Sequence, residues 1–231
     1  MNIKIYILCY NHKTEEIANQ SFGSYEWAKV INIKSTKILE NIMYEEWLLN
    51  NIDDWKNCDY VGTLSWKSLQ KIKLPDIDQL KKDLILTNPD FFAFLVGKQS
   101  LIKRTNLYHP LFGMIWTKLL KNMGYDEKFI LSEKIIPFYS NYWICKSEIM
   151  LKYITFFNKC KKILDNDEEL IRLMNMNSLY KGNLDHSDCL KIFDKPYYTY
   201  HPFIFERLPC FFVFINNLKI KYDIKSSLIN I

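Results

Sequence analysis

The sequence alternates short β-branched runs with longer segments whose apolar residues recur at helical spacing. Runs at 3–9, 59–66 and 91–96 predict buried strands, whereas 37–50 and 111–123 have the spacing of amphipathic helices. Strands that alternate with helices form mostly parallel sheets with helices on both faces. The sequence therefore predicts an α/β fold, with a Rossmann-type, mostly parallel sheet flanked by helices.

The composition indicates one folded domain spanning residues 1–231. Hydrophobic residues make up 48% of the chain, and 15 Tyr, 15 Phe and 6 Trp supply a large core. The chain has only 6 Gly, which argues against a glycine-rich phosphate loop. The net charge of +5 suits an anionic ligand such as a nucleotide diphosphate, although ordinary proteins also carry such a charge.

The cysteines and the apolar runs indicate the cellular compartment of the protein. The six cysteines stand singly, without a C-x-x-C pair, so we expect reduced thiols in a cytoplasmic protein. No apolar run reaches the length of a membrane span, and the first nine residues are too short for a secretory signal. The sequence therefore predicts no membrane span.

Ligands of open α/β sheets bind beyond the carboxyl ends of the strands, which directs attention to the residues that follow the predicted strands. The residues after the first and third strands are polar or aromatic: Tyr10, Asn11, His12, Ser65, Trp66 and Lys67. The first three have side chains that stack on a base or hydrogen-bond to it, but they also suit an ordinary polar turn. We predict that these six residues bind a nucleotide donor.

Three patches of sequence resemble bacterial capsule and exopolysaccharide glycosyltransferases. They are Ile5-Tyr-Ile-Leu-Cys-Tyr-Asn-His12, Glu40-Asn-Ile-Met-Tyr-Glu-Glu-Trp47 and Trp55-Lys-Asn-Cys-Asp-Tyr-Val-Gly62, and Phe205-Glu-Arg-Leu208 near the end is similar to a Glu-Arg-Leu helix of those proteins. The composition, rich in Asn, Lys and Ile, is also similar to that of relatives encoded by large DNA viruses. For such a viral protein the compartment is the host cytoplasm.

The resemblance implies a GT-A fold with two functional halves. Residues 1–100 would mainly bind the nucleotide sugar, with a UDP-sugar favoured, and residues 101–231 would mainly bind a glycan or glycoprotein acceptor. The sequence departs from this family after the Tyr-Val-Gly strand, where the family has His-Tyr-Arg-Arg and this chain has Ser65-Trp-Lys-Ser68. Only one cation remains in that segment for contacts with phosphate.

Two patterns of polar and acidic residues add candidate site residues. Asn41 and Glu45 are one helical turn apart, so they either reach the donor or form a solvated helix face. Asp76 and Asp78 form a D-x-D, which in many GT-A enzymes holds Mn²⁺ or Mg²⁺ against the departing diphosphate. The alternative is that Asp76 and Asp78 simply favour the start of a helix. Other candidate carboxylates are Asp53, Asp54 and Asp59.

Glu206 is the candidate catalytic residue. It lies among Phe203, Phe205, Leu208 and Phe211, and an apolar setting raises a carboxyl pKa toward the range of a general base. The alternative is an internal ion pair with a neighbouring cation. The aromatic residues at 197–203 suit the apolar faces of sugars, but they equally suit a core.

Two other functional classes fit some of these features. A carbohydrate-binding protein without catalysis would share the aromatic residues, and a nucleic-acid-binding enzyme would share the basic and aromatic composition. No stripe of Lys and Arg is concentrated on one element, so we expect no nucleic-acid partner. The sequence favours a glycosyltransferase.

Overall fold

A computed structural model describes residues 1–33, 40, 42–97, 99–182 and 185–222. Six strands form one sheet in the order β2-β1-β3-β5-β4-β6. The strands are β1 (Ile3–Cys9), β2 (Ala28–Asn32), β3 (Tyr60–Ser65), β4 (Phe91–Ala93), β5 (Trp143–Lys146) and β6 (Ile220–Tyr222). All except β5 run in the same direction, because β5 pairs antiparallel with both β3 and β4.

Side chains of the strands alternate between two hydrophobic clusters, one on each face of the sheet. On β1, Tyr6 and Leu8 belong to the larger cluster, whereas Ile5 and Ile7 belong to the smaller one. This alternation is the period of two that a β-strand imposes on its side chains. Because both faces are buried, β1 reads in the sequence as a nearly continuous apolar run, as expected for a sheet covered on both sides.

Helices cover both faces. The segments are α1 (His12–Phe22), α2 (Ile42–Leu49, with the wide turns of a π-helix), α3 (Ile52–Trp55), α4 (Ile77–Thr87), α5 (Leu101–Tyr108), α6 (Phe112–Asn122), α7 (Glu127–Ile130), α8 (Ser147–Asn166), α9 (Glu168–Met174), α10 (His186–Phe193), α11 (His201–Phe205) and α12 (Leu208–Ile215). Apolar residues of α1 and α4 pack in the smaller cluster, and those of α2, α6, α8 and α12 pack in the larger one. The predicted α/β fold with a mostly parallel, helix-flanked sheet is confirmed.

Gly62 explains how closely β3 and β5 pack. A Cβ atom at this position would lie 2.5 Å from the carbonyl oxygen of Trp143 and 2.6 Å from a side-chain carbon of Ile144. Only a residue without a side chain fits there. The predicted strand at 91–96 is shorter than expected, since β4 ends at Ala93 and Val96 forms only an isolated bridge to Phe138.

The six cysteines are buried as free thiols, as the sequence predicts. Within the described ranges, no helix has the length and hydrophobicity that crossing a membrane requires. The prediction that residues 1–100 and 101–231 have separate binding roles is not tested by the fold, and both β5 and β6 come from the second half.

Candidate functional site

A small crevice lies at the carboxyl ends of β1 and β3. Leu8 and Ser65, near the ends of these two strands, line it together with Ser140 and Asn141. Tyr10 follows β1 directly, and its hydroxyl is in an environment where burial, and then the charge of Glu40, raise its pKa. Two of the predicted donor-binding residues, Tyr10 and Ser65, therefore lie at the sheet edge where α/β proteins bind ligands.

The turn at Ser140 and Asn141 holds two carboxyl groups. Both residues have left-handed backbone conformations, with φ of 63° and 54°, which are uncommon for residues other than glycine. The Asn141 amide donates a hydrogen bond to Glu40 Oε1 at 3.1 Å, and the Ser140 backbone N–H donates to Glu206 Oε1. Two carboxyl groups from distant parts of the chain, those of Glu40 and Glu206, thus accept hydrogen bonds from adjacent residues of one turn.

Glu40 is a functional candidate that sequence reasoning missed. The residue is 5% exposed, and its Oε2 atom has no hydrogen-bond partner among the described residues. Burial, and then the nearby charge of Glu206, raise the pKa of Glu40 from 4.5 to about 8, so the carboxyl is mostly protonated at neutral pH. Its position at the head of the Glu40–Trp47 patch was the available signal.

Glu206 forms the ion pair that the sequence left open and also lines a cavity. Its Oε2 atom forms an ion pair with Nη1 of Arg207, and its side chain is 17% exposed. The carboxylate also lines a cavity of about 300 Å³ next to the crevice, and Ser140 borders both spaces. The ion pair and the position at a cavity wall therefore occur together, and the predicted role as a general base stays a prediction.

The lining of the cavity is basic and aromatic. The cationic residues are Lys71, Arg104 and Arg207, the ring-bearing residues are Tyr108, His109, Tyr139, Tyr180 and Phe203, and Glu206 is the carboxylate. Tyr108 and Tyr180 are about half exposed, so flat rings border a space that solvent reaches. A cavity of this size and character suits a small polar ligand with apolar faces, such as a sugar.

Two of these cations lie over the ring of Tyr139. The guanidinium carbons of Arg207 and Arg104 lie 4.9 and 5.9 Å from the centre of its ring. Gly97 makes room for the ring, because a Cβ atom there would lie 2.5 Å from Tyr139 Cε2. Burial raises the pKa of Tyr139 to about 12, so its ring stays neutral and attracts cations at physiological pH.

His109 forms the buried wall of the cavity. It stacks on Phe203 with ring centres 3.7 Å apart, and burial lowers its pKa to about 4. Its Nδ1 lies 3.3 Å from the backbone carbonyl oxygen of Ser178, which can only accept a hydrogen bond. The ring is therefore neutral with the proton on Nδ1, and it adds no charge to the cavity.

Several predicted site residues have local structural contacts instead of contacts in either space. Asn11 accepts a hydrogen bond from the Thr14 backbone N–H and caps α1, and His12 pairs with Glu16 at 3.6 Å on the exposed first turn. Lys67 lies over the ring of Trp66, 4.7 Å from its centre. These side chains do not line the crevice or the cavity, and their predicted contacts with a donor remain predictions.

The helix-borne candidates have a similar outcome. Glu45 lies 3.7 Å from Nζ of Lys161 on α8, and Asn41 lies outside the described residues.

In the aromatic region at 197–203, Tyr200 is buried and accepts a hydrogen bond from the Leu111 backbone N–H, whereas Phe203 lines the cavity. That region is thus mainly core, with one face at the site.

The D-x-D pair lies at the N-terminus of α4. Asp76 is the N-cap of this helix, and its Oδ1 accepts a hydrogen bond from the Asp78 backbone N–H at 2.7 Å. The described part of the chain contains no group of three His, Cys, Asp or Glu residues suited to a metal ion. This arrangement does not fit a preformed metal site, so the cation at Asp76 and Asp78 stays a prediction and no step below uses it.

The other candidate carboxylates are also engaged. Asp54 is held by Lys4, Lys29 and Tyr6, Asp53 by Lys56, and Asp59 Oδ2 accepts a hydrogen bond from the Asn2 backbone N–H at 2.6 Å.

Comparison with known proteins identifies the architecture. No family model and no curated protein match the sequence. One solved structure, the apo form of the bifunctional glycosyltransferase WbbM, superimposes with a TM-score of 0.53 at 13% identity, over 98% of this chain. The chain shares its α/β fold with part of this glycosyltransferase. It spans 45% of the length of WbbM, so the match concerns the architecture of one part of that protein.

The fold shared with part of WbbM agrees with the α/β fold that the sequence resemblance implied. The finer assignment to the GT-A type, and the expected relationship to viral proteins, remain predictions. At this level of identity the comparison assigns no role to any residue, so the functional argument rests on the turn, the crevice and the cavity.

Proposed function

We propose that the protein is a glycosyltransferase that moves a sugar from a nucleotide-diphosphate donor, with a UDP-sugar favoured, to a hydroxyl group of a glycan or glycoprotein acceptor. The observation that carries this proposal is the Ser140–Asn141 turn. It holds two carboxyl groups at the carboxyl edge of the sheet, between a crevice on one side and an aromatic, cationic cavity on the other. The fold shared with part of WbbM supports the same activity.

Glu206 would act as the general base. The acceptor hydroxyl gives its proton to Glu206 while its oxygen bonds to the anomeric carbon of the donor. The bond from that carbon to the diphosphate breaks, and the diphosphate leaves with the electron pair. The Ser140 N–H and Arg207 fix the orientation of the carboxylate, as a positioned base requires.

Glu40 would set the charge beside this base. As a neutral acid near pH 7 it adds no second negative charge to the turn, whereas above about pH 8 its ionisation would repel Glu206. Glu40 is therefore a positioning residue in this proposal. The arrangement resembles other active sites in that two carboxyl groups differ in protonation because their surroundings differ.

We propose the same division of roles along the chain that the sequence predicted. The carboxyl ends of β1 and β3, with Tyr10 and Ser65, would receive the donor, since α/β proteins bind ligands at this edge of the sheet. All residues that line the cavity except Lys71 come from 101–231, the half predicted to bind the acceptor. We therefore assign the acceptor to the cavity.

The test is a thermal-shift panel followed by an assay for transfer. Nucleotide diphosphates and nucleotide sugars are added with Mn²⁺, with Mg²⁺ or with chelator, and stabilisation by about 2.7 kcal/mol is expected at a hundredfold excess over Kd. Chromatography then measures release of the nucleotide diphosphate in the presence of saccharide acceptors. Stabilisation by saccharides without any nucleotide effect would point to a carbohydrate-binding protein, and stabilisation by oligonucleotides alone would point to a nucleic-acid binder.

A further inference from the structure

The charges that line the cavity are not balanced. Lys71, Arg104 and Arg207 face a single carboxylate, that of Glu206, which leaves a net charge of +2 in the lining. Arg207 is the cation that pairs with Glu206. Among the described residues, neither Lys71 nor Arg104 has a carboxylate within ion-pair distance, so both keep their charges available to a ligand.

Two of these cations, Arg104 and Arg207, also lie close to the same aromatic ring. Arg104 and Arg207 flank the same ring, that of Tyr139, and the Lys71 ammonium lies 5.9 Å from the centre of the Tyr142 ring. Like charges gathered around a partly buried space repel each other unless an anion enters it. Guanidinium groups are suited to such an anion, because their planar donors bind carboxylate and phosphate with two hydrogen bonds.

The remaining lining suits the body of a saccharide. Tyr108, Tyr180 and Phe203 present rings on which an apolar sugar face can pack, and Tyr180 and Phe203 lie with ring centres 5.1 Å apart. Glu206 lines the same cavity, where its carboxylate would meet a hydroxyl group of the bound molecule. One cavity thus combines cationic side chains, aromatic rings and the proposed base.

We propose that the acceptor is an acidic saccharide, whose carboxylate or phosphate group is recognised by Lys71 and Arg104 together with Arg207. This inference rests on the proposed function, because it names the class of acceptor for the same site. Sugar carboxylates and sugar phosphates share the chemistry that the cations recognise, and the experiment separates them.

The experiment compares ligands that differ in one group. Calorimetric titration measures binding of an aryl β-glucuronide, the matching neutral β-glucoside and the matching glucoside 6-phosphate. At least one acidic ligand is expected to bind about tenfold more tightly than the glucoside, as for a charged hydrogen bond, and its advantage should decline as salt is added. The stronger of the two acidic ligands identifies the anionic group.

Matched variants locate the site. Arg104→Gln and Lys71→Gln are each expected to reduce the preference for the acidic ligand by about tenfold. Lys103→Gln and Lys73→Gln are the controls, because both are exposed neighbours that do not line the cavity and Lys103 pairs with Glu133. Equal binding of acidic and neutral ligands, or a preference that survives in Arg104→Gln and Lys71→Gln, would overturn the inference.

Three further outcomes separate this inference from the proposed function. If UDP competes with the acidic ligand for the cavity, the cations serve the donor diphosphate and the acceptor assignment is wrong. If acidic and neutral acceptors are glycosylated with the same kcat/KM, the inference fails while the transferase activity stands. If the acidic saccharide binds through Arg104 but no nucleotide sugar is ever turned over, the recognition stands and the proposed function fails.

Discussion

Asp54 and Glu40 are both carboxyl groups close to the first strand, but their surroundings differ. Asp54 accepts hydrogen bonds from Lys4 at 2.9 Å, from the Tyr6 hydroxyl at 2.7 Å and from Lys29 at 3.0 Å. These partners, led by Lys4, hold the pKa of Asp54 well below its usual range. This carboxylate is fully ionised and surrounded by partners.

Glu40 has the opposite environment. Its carboxyl accepts a hydrogen bond from the Asn141 amide, and burial, followed by the like charge of Glu206, raises its pKa. Arg207 lowers the pKa of Glu40 only as a minor influence, since its guanidinium pairs with Glu206. The turn therefore holds two carboxyl groups against one arginine.

This difference separates a structural network from a candidate active site. A balanced network such as that around Asp54 stabilises the fold and leaves no group free to react. An unbalanced one costs stability, and such sites recur where proteins carry out proton transfer or bind charged ligands. The three predictions that follow test whether the comparison holds.

The largest effect is expected from Glu206→Gln. If Glu206 is the base, kcat/KM should fall by about 10²- to 10⁴-fold while the fold is retained, because glutamine still accepts the Ser140 hydrogen bond but cannot take a proton. Asp54→Asn is the matched control, and it should leave kcat/KM unchanged at temperatures well below unfolding. Full activity in Glu206→Gln would show that the turn is not part of the active site.

An intermediate effect is expected on the pH dependence of stability, and the two carboxyl groups should act with opposite signs. The native state holds the Glu40 proton more tightly than the unfolded state, so the free energy of unfolding should decline as pH rises from about 4.5 to about 8. The slope from this group should reach at most about 1.4 kcal/mol per pH unit. Glu40→Gln should abolish this decline.

For Asp54 the sign reverses. Its pKa is lower in the folded state, so its contribution is present at neutral pH and is lost as the solution is acidified through and below the usual Asp range. Asp54→Asn should flatten the acid side of the stability profile and leave the alkaline side unchanged. Urea denaturation of both variants across this pH range checks both signs, and the same change in both variants would contradict the comparison.

The smallest effect is expected at Asp76. As a helix cap, Asp76→Ala should cost about 1 kcal/mol of stability, whereas Asp76→Asn should cost little because asparagine caps equally well. Activity in the presence of chelator decides whether the aspartate does more. If Asp76→Asn and Asp78→Asn both lose metal-dependent transfer while stability is kept, the result would support a metal site at this pair of carboxylates.

The local features of the fold could be read from the sequence. The nearly continuous apolar run of β1 and the helical spacing along α6 are set by residues close together in the chain, so both patterns are visible in the sequence. The same holds for the caps Asn11 and Asp76, for which the sequence left a local structural role and a ligand-binding role open. Short polar side chains at such positions serve both purposes, and only their observed hydrogen bonds distinguish the two.

The candidate site required the tertiary structure, because its parts are far apart in the chain. Glu40 and Asn141 are separated by 101 residues, and Ser140 and Glu206 by 66. The apolar neighbours of Glu206 already marked it as a candidate in the sequence. Nothing local indicates that Lys71 and Arg104 line the same cavity, because packing of the sheet against its helices decides which distant side chains meet. The sequence by itself determined the α/β architecture through short-range periodicity, and only the folded chain determined which charges are left unbalanced.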